Sequence, residues 1–170
     1  MLETGDGRRV VVLNWLGLLA RLGVAAVWFT SGIAKAADPL ETVVAVRAYR
    51  LLPEGAVREV AAVLPYLEIA LGLLLLLGLA TRLAAAGSAA LLLVFIGGVI
   101  SAAARGLTID CGCFGGGGQV ASGQTQYVSE IVRDVGLLVL AGYLIWRPRS
   151  ALSVDGWAAG LSRDPHVDQA

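Results

Sequence analysis

Leu71-Gly72-Leu73-Leu74-Leu75-Leu76-Leu77-Gly78-Leu79, followed after Arg82 by an uncharged run from Leu83 to Ile100, decides the fold. Neither stretch has a polar face to turn towards water, so neither reads as a surface helix of a soluble bundle. A membrane-crossing helix needs about 20 mostly apolar residues to cover roughly 30 Å of hydrocarbon. Four segments meet that length: 13–37, 57–80, 83–104 and 127–146. Hydrocarbon offers no partner to an open backbone group, so each must be helical. The expectation is an all-α, four-helix transmembrane bundle.

Composition agrees. Hydrophobic residues make up 57% of the chain and charged ones 15%, against about 25% charged in soluble domains. Formal net charge is zero, which leaves no bulk electrostatic case for nucleic acid or an acidic partner. The first apolar run, behind Arg8 and Arg9, is far longer than the h-region of a signal peptide. It is expected to be an uncleaved span, although Ala34-Lys35-Ala36 resembles a cleavage site.

With four spans both termini share one side. Arg82 and the Arg147/Arg149 pair lie in short connections on that side, which favours cytoplasmic termini in the plasma membrane. Residues 1–12 are then a cytoplasmic tail, with Met1 to Gly7 unstructured, and 147–170 are another. Residues 13–146 form the membrane domain, and the loop 105–126 faces outward. Arg21 is expected to snorkel to the cytoplasmic headgroups. Between the first two spans, Leu40 to Pro53 is too short and too charged to cross. It reads as a short interfacial helix, started by Asp38-Pro39 and able to cover the outer end of the bundle.

The chemistry concentrates at that outer end. Glu68 lies about 15 Å into the second span and Arg133 about 10 Å into the fourth, at 1.5 Å per residue. An acid at such depth needs a partner. The expected pairing is Glu68 with Arg133, with Lys35 and Asp134 nearby. Glu130 shares a helix face with Arg133 and Asp134. The plain alternative is a buried ion pair that only fixes helix register.

Above them sits Ile109-Asp110-Cys111-Gly112-Cys113-Phe114-Gly115, with the only two cysteines of the chain. A metal site needs three or four ligands. Two cysteines and a distant His166 do not supply them, so no metal is expected. A phosphate loop needs a preceding strand and a lysine, neither of which is evident. Two thiols one residue apart close a small, strained ring, and a strained disulfide is easily reduced. That suits a transfer couple better than a staple. Asp110 disfavours the Cys111 thiolate and Arg105 favours it.

These residues resemble a family. Ser31-Gly32-Ile33-Ala34-Lys35 with Asp38-Pro39, Tyr49-Arg50-Leu51-Leu52-Pro53, Leu64-Pro65-Tyr66-Leu67-Glu68, Asp110-Cys111-Gly112-Cys113-Phe114-Gly115 and Arg133-Asp134 are similar to the methylamine-utilisation proteins called MauE, within the broader DoxX-like group. The resemblance implies a four-helix membrane bundle linked to disulfide formation or maturation of exported proteins, typified by the small subunit of methylamine dehydrogenase.

The first expectation is therefore a membrane thiol–disulfide oxidoreductase or its accessory. Cys111 and Cys113 would react, and Asp110, Lys35, Glu68, Glu130, Arg133 and Asp134 would support them. Its partners would be the bilayer and a thioredoxin-like exported protein. No motif fixes a cofactor; a membrane quinone is the candidate acceptor. The alternative is a non-catalytic assembly factor. A small-solute transporter is disfavoured by the lack of broken helices and repeats.

Overall fold

The computed structural model describes residues 4–110, 112, 117–121, 125–148 and 153–155, with side chains from residue 11 onward. Cys111, Cys113 and His166 lie outside the described residues. The chain runs α1 (Thr4–Ala37), α2 (Pro39–Ala48), α3 (Glu54–Leu77), α4 (Thr81–Ala104), β1 (Ile109–Asp110), β2 (Gly118–Gln119) and α5 (Tyr127–Trp146). Helices α1, α3, α4 and α5 form the bundle: α1 packs on α3 and α5, and α4 packs on α5 and α3. The core between them holds Val24, Trp28, Leu75, Leu92 and Leu144. One polar link crosses it, where Trp28 Nε1 donates to Ser88 Oγ at 2.9 Å and Ser88 Oγ donates to Ala84 O at 2.8 Å. Buried polar atoms satisfied in this way fix the rotation of α1 against α4.

Among the described residues three helices are long and apolar enough to cross a membrane: Val11–Ala37, Glu54–Leu77 and Thr81–Ala104. Helix α3 ends where Gly78 takes a left-handed conformation at φ 65°. The Leu79 amide then reaches back to Leu74 O at 3.0 Å, a glycine C-terminal motif. Inside α3, Pro65 forfeits one helical hydrogen bond without ending the helix.

Two expectations about the ends need correcting. Helix α1 already includes Thr4–Gly7, expected to be unstructured, because a nucleated helix propagates at little cost. Arg21 does not snorkel. It is 1% exposed, and a Cβ on Gly78 would overlap its Nη1. Its guanidinium packs against the α3–α4 turn and Ser153, which folds back from beyond α5. There Asp155 accepts from the amides of Ala80 at 2.9 Å and Thr81 at 2.8 Å. It replaces the side-chain cap that α4 lacks. Burial would raise the Asp155 carboxyl, but those amides and the Arg21 charge outweigh it and hold the group below the usual aspartate range.

At the opposite end, α2 begins with Asp38 accepting from the Glu41 amide at 2.9 Å and Pro39 in the first turn. It turns Thr42 and Ala45 inward and leaves Leu40 outside. Its C-terminus is closed by Arg105, whose Nη2 donates to Tyr49 O at 2.5 Å and Nη1 to Arg50 O at 3.4 Å. Arg105 also donates to Ser101 O at 3.1 Å; Cys111, whose thiolate it is expected to favour, lies outside the described residues. Strands β1 and β2 pair antiparallel, Ile109 opposite Gln119 and Asp110 opposite Gly118. This two-residue pairing was not read from the sequence. It forms a hairpin arm, not the long strand of a phosphate loop.

Candidate functional site

The site begins with the absence of a side chain at Gly32. A Cβ there would lie 2.7 Å from Ile69 Cγ1 and 2.8 Å from Pro65 O. Only glycine lets α1 and α3 approach this closely. The approach lays Ser31 and Lys35, one helical turn apart, onto Glu68. Lys35 Nζ sits 3.1 Å from both Glu68 oxygens and 2.6 Å from Ser31 Oγ. Glu68 is fully buried and Lys35 only 7% exposed. Glu68 therefore pairs with Lys35 and not with Arg133, as its depth alone suggested. Depth ranks the candidates, but the Gly32 contact selects between them.

Helix α5 supplies the other charges. Arg133 donates through Nε and Nη2 to Asp134 Oδ1, each at 2.9 Å. Glu130 and Asp134, one turn apart, are both buried against the bundle. Ser31, Arg133 and Asp134 line one small cleft with Trp28 and Phe95. Lys35, Glu68, Glu130, Arg133 and Asp134 thus share the hairpin end of the bundle. Asp110 does not join them: strand alternation turns Ile109 inward and Asp110 outward.

Beside this cluster lies a cavity of about 570 Å³. Helix α2 contributes Thr42, Ala45 and Val46, followed by Tyr49; α3 contributes Val60, Val63, Leu64 and Leu67; α4 contributes Leu91, Val94, Phe95 and Gly98. Lys35 and Gly112 also line it, and the exposed Leu51, Leu52 and Glu59 complete its wall. The Tyr49 ring packs on the α4 backbone at Gly98, where a Cβ would meet it at 3.4 Å, an ordinary contact. Burial pushes the Tyr49 hydroxyl well above the ordinary tyrosine range, and Glu130 and Asp134 push it the same way.

The hairpin docks onto α2. A Cβ on Gly117 would lie 2.6 Å from the Ala45 Cβ and 3.1 Å from the Gly112 Cα, and Gly117 has φ 132°. Glycine is required there twice, for space and for backbone sign. Gly112 is itself buried. The Tyr127 hydroxyl anchors the hairpin base, donating to Leu107 O at 2.5 Å and accepting from Ile109 N at 3.2 Å. A buried ammonium–carboxylate pair beside an apolar chamber can exchange a proton with whatever fills it, because interactions strengthen where water is excluded.

Sequence reasoning quoted Gly32 and Tyr49 as motif residues but missed their packing roles, and it missed the cavity. The glycine one turn before Lys35 was the available signal for close approach. No periodicity marks the cavity, which exists only because α2, α3 and α4 leave a gap.

A family model described as "Methylamine utilisation protein MauE" matches residues 13–147. The methylamine utilization protein MauE of Paracoccus denitrificans is 39% identical over 98 residues, covering 57% of this chain and 53% of that protein. The protein of the same name from Methylorubrum extorquens is 35% identical over 104 residues, covering 59% of this chain and 53% of its own length. The chain spans about half the length of the curated relatives it matches. No solved structure matches it.

Proposed function

This chain belongs to the MauE family, and from that premise we propose that it is a membrane thiol–disulfide redox protein that supports the maturation of exported proteins. Its long apolar helices make it a multi-pass membrane protein. We place the fourth crossing at α5, whose outward face carries Val128, Val132, Val139 and Trp146 while Glu130 and Asp134 turn inward. Both termini are then cytoplasmic, with residues 147–170 as the C-terminal tail and the hairpin end outside. The relatives' names supply the context of methylamine utilisation.

The observation that carries this reading is Gly112. It is buried in the wall of the cavity, and its covalent neighbours are the only two cysteines in the chain. In the proposed reaction a Cys111–Cys113 disulfide is attacked by a client thiolate. A mixed disulfide forms and the second client thiol resolves it. The client gains a disulfide, and Cys111 and Cys113 become thiols. Two electrons and two protons pass between the pairs, so the exchange balances. The partner is an exported protein of thioredoxin-like chemistry. In Cys113→Ser the remaining Cys111 thiolate can run only the reverse half-exchange, attacking the disulfide of an oxidised client with no Cys113 thiol to complete it, so a mixed disulfide at Cys111 that reductant releases is expected to accumulate. If neither single serine variant traps a partner and the double variant still supports maturation, the redox reading is wrong.

A second reading has its own observation. Leu40 is 81% exposed, and Val44, Leu51 and Leu52 are exposed beside it. This apolar rim suits a non-catalytic factor that holds a client at the membrane. Cysteine-to-alanine variants would then keep function, and Leu40→Glu would lose it.

A further inference from the structure

We propose that the cavity between α2, α3 and α4 binds a lipid-soluble quinone, with Lys35 as the donor to its carbonyl. The proposal rests on the thiol reading for the source of electrons, but the binding site itself is argued from the cavity alone.

Size comes first. About 570 Å³ falls within the range of small-molecule sites. Its walls are apolar almost throughout, and water does not settle where polar partners are scarce. Access comes second. Val60, Val63, Leu67 and Val94 line the cavity and are also exposed on the outside of the bundle. On crossing helices those faces meet hydrocarbon, so an occupant enters from the bilayer.

The polar end then selects among lipid-soluble molecules. Lys35 Nζ carries three N–H donors, and it stands 5.9 Å from the centroid of the Phe95 ring, which lines the same cavity. A quinone offers a carbonyl that can take over the donor now directed at Ser31, and a flat ring to lie against Phe95. A phospholipid acyl chain offers neither and would end its methyl group against an ammonium.

The redox balance closes. Oxidation of the Cys111 and Cys113 thiols to a disulfide releases two electrons and two protons. The quinone takes up both pairs and leaves as quinol. Lys35 gives a proton to the ring oxygen, and the Glu68 carboxylate hydrogen-bonded to it takes up a proton released by the thiols and passes it to Lys35, so that pair ends as it began.

The test uses the full chain in phosphatidylcholine nanodiscs with decyl-ubiquinone as probe. Binding is followed by quenching of tryptophan fluorescence, and an azido derivative maps the contact by peptide mass spectrometry. We expect saturable binding, with the label on residues 60–67 or 91–98. Val94→Trp and Val63→Trp fill the cavity from exposed positions that the fold tolerates. Each should weaken binding by about tenfold, equivalent to about 1.4 kcal/mol. The Cys111→Ser/Cys113→Ser double variant should bind as the parent does. Absent saturation, or binding and labelling unmoved by both tryptophans, overturns the proposal and leaves an acyl chain as the occupant. Probe binding without any thiol trapping sinks the redox reading alone. Trapping without probe binding sinks the quinone site alone.

Discussion

The two ends of the bundle both bury charge, and they use it differently. At the turn end, Arg21 and Asp155 close backbone: the carboxylate caps α4, and the guanidinium packs against the α3–α4 turn. Neither residue lines the apolar cavity. At the hairpin end, Lys35 and Glu68 pair with each other next to an apolar chamber. Charge enclosed by the groups it caps reads as structure. Charge set beside an apolar cavity, under a buried glycine flanked by cysteines, reads as a site. Burial alone does not separate the two roles, since Arg21 at one end is as buried as Glu68 at the other, while Asp155 is only partly buried.

The contrast breaks most sharply at Glu68. Glu68→Ala leaves the Lys35 ammonium buried without its carboxylate. A loss of about 3–5 kcal/mol in unfolding free energy is expected. Replacing both partners, Lys35→Met with Glu68→Leu, should recover most of that stability while leaving maturation of the client abolished. Recovery of both stability and function would make the pair a plain register device.

Gly32→Val comes next. Its side chain must push against Pro65 O and Ile69, and overpacking of this kind costs about 1–3 kcal/mol. Since Gly32 brings Lys35 to Glu68, lost stability should come with lost activity. Thermal unfolding in detergent and a client-oxidation assay read the two effects together.

Asp155→Ala sharpens the other side. Loss of a helix cap costs about 1 kcal/mol, towards the low end for a half-exposed carboxylate. Thiol exchange should be untouched. The sign with pH follows from the depressed carboxyl. Folding is favoured by this group at neutral pH, fully so above the ordinary aspartate range of about 3.9, and the contribution fades as pH falls through the lower folded value. The stability gap between the parent and Asp155→Asn should therefore shrink on acidification below about pH 4, and an unchanged gap would remove Asp155 from the cap.

Much of this architecture was legible in the chain. The runs around Leu71 to Leu79 and Leu83 to Ile100 demand helices, and Asp38-Pro39 announces α2. Convergence of Lys35, Glu68, Glu130, Arg133 and Asp134 at one end followed from depth along each span. The partner of Glu68 did not follow, because Lys35 and Arg133 compete at similar depth and only the rotation set at Gly32 decides. Arg21 with Asp155 was equally hidden, since nothing local joins two residues so far apart. The outward turn of Asp110 depends on the register of a two-residue strand pair, too short to carry a sequence signal.

The central claim is that the hairpin end is a working thiol–disulfide couple. The most direct measurement is the redox state of Cys111 and Cys113 in intact membranes, read as a gel shift after alkylation with a mass tag. The account predicts a mixed population that moves to the disulfide when the client is absent and to the dithiol when electron acceptors are withdrawn. A pair that stays wholly in one state under both conditions, in cells that still mature the client, would contradict it.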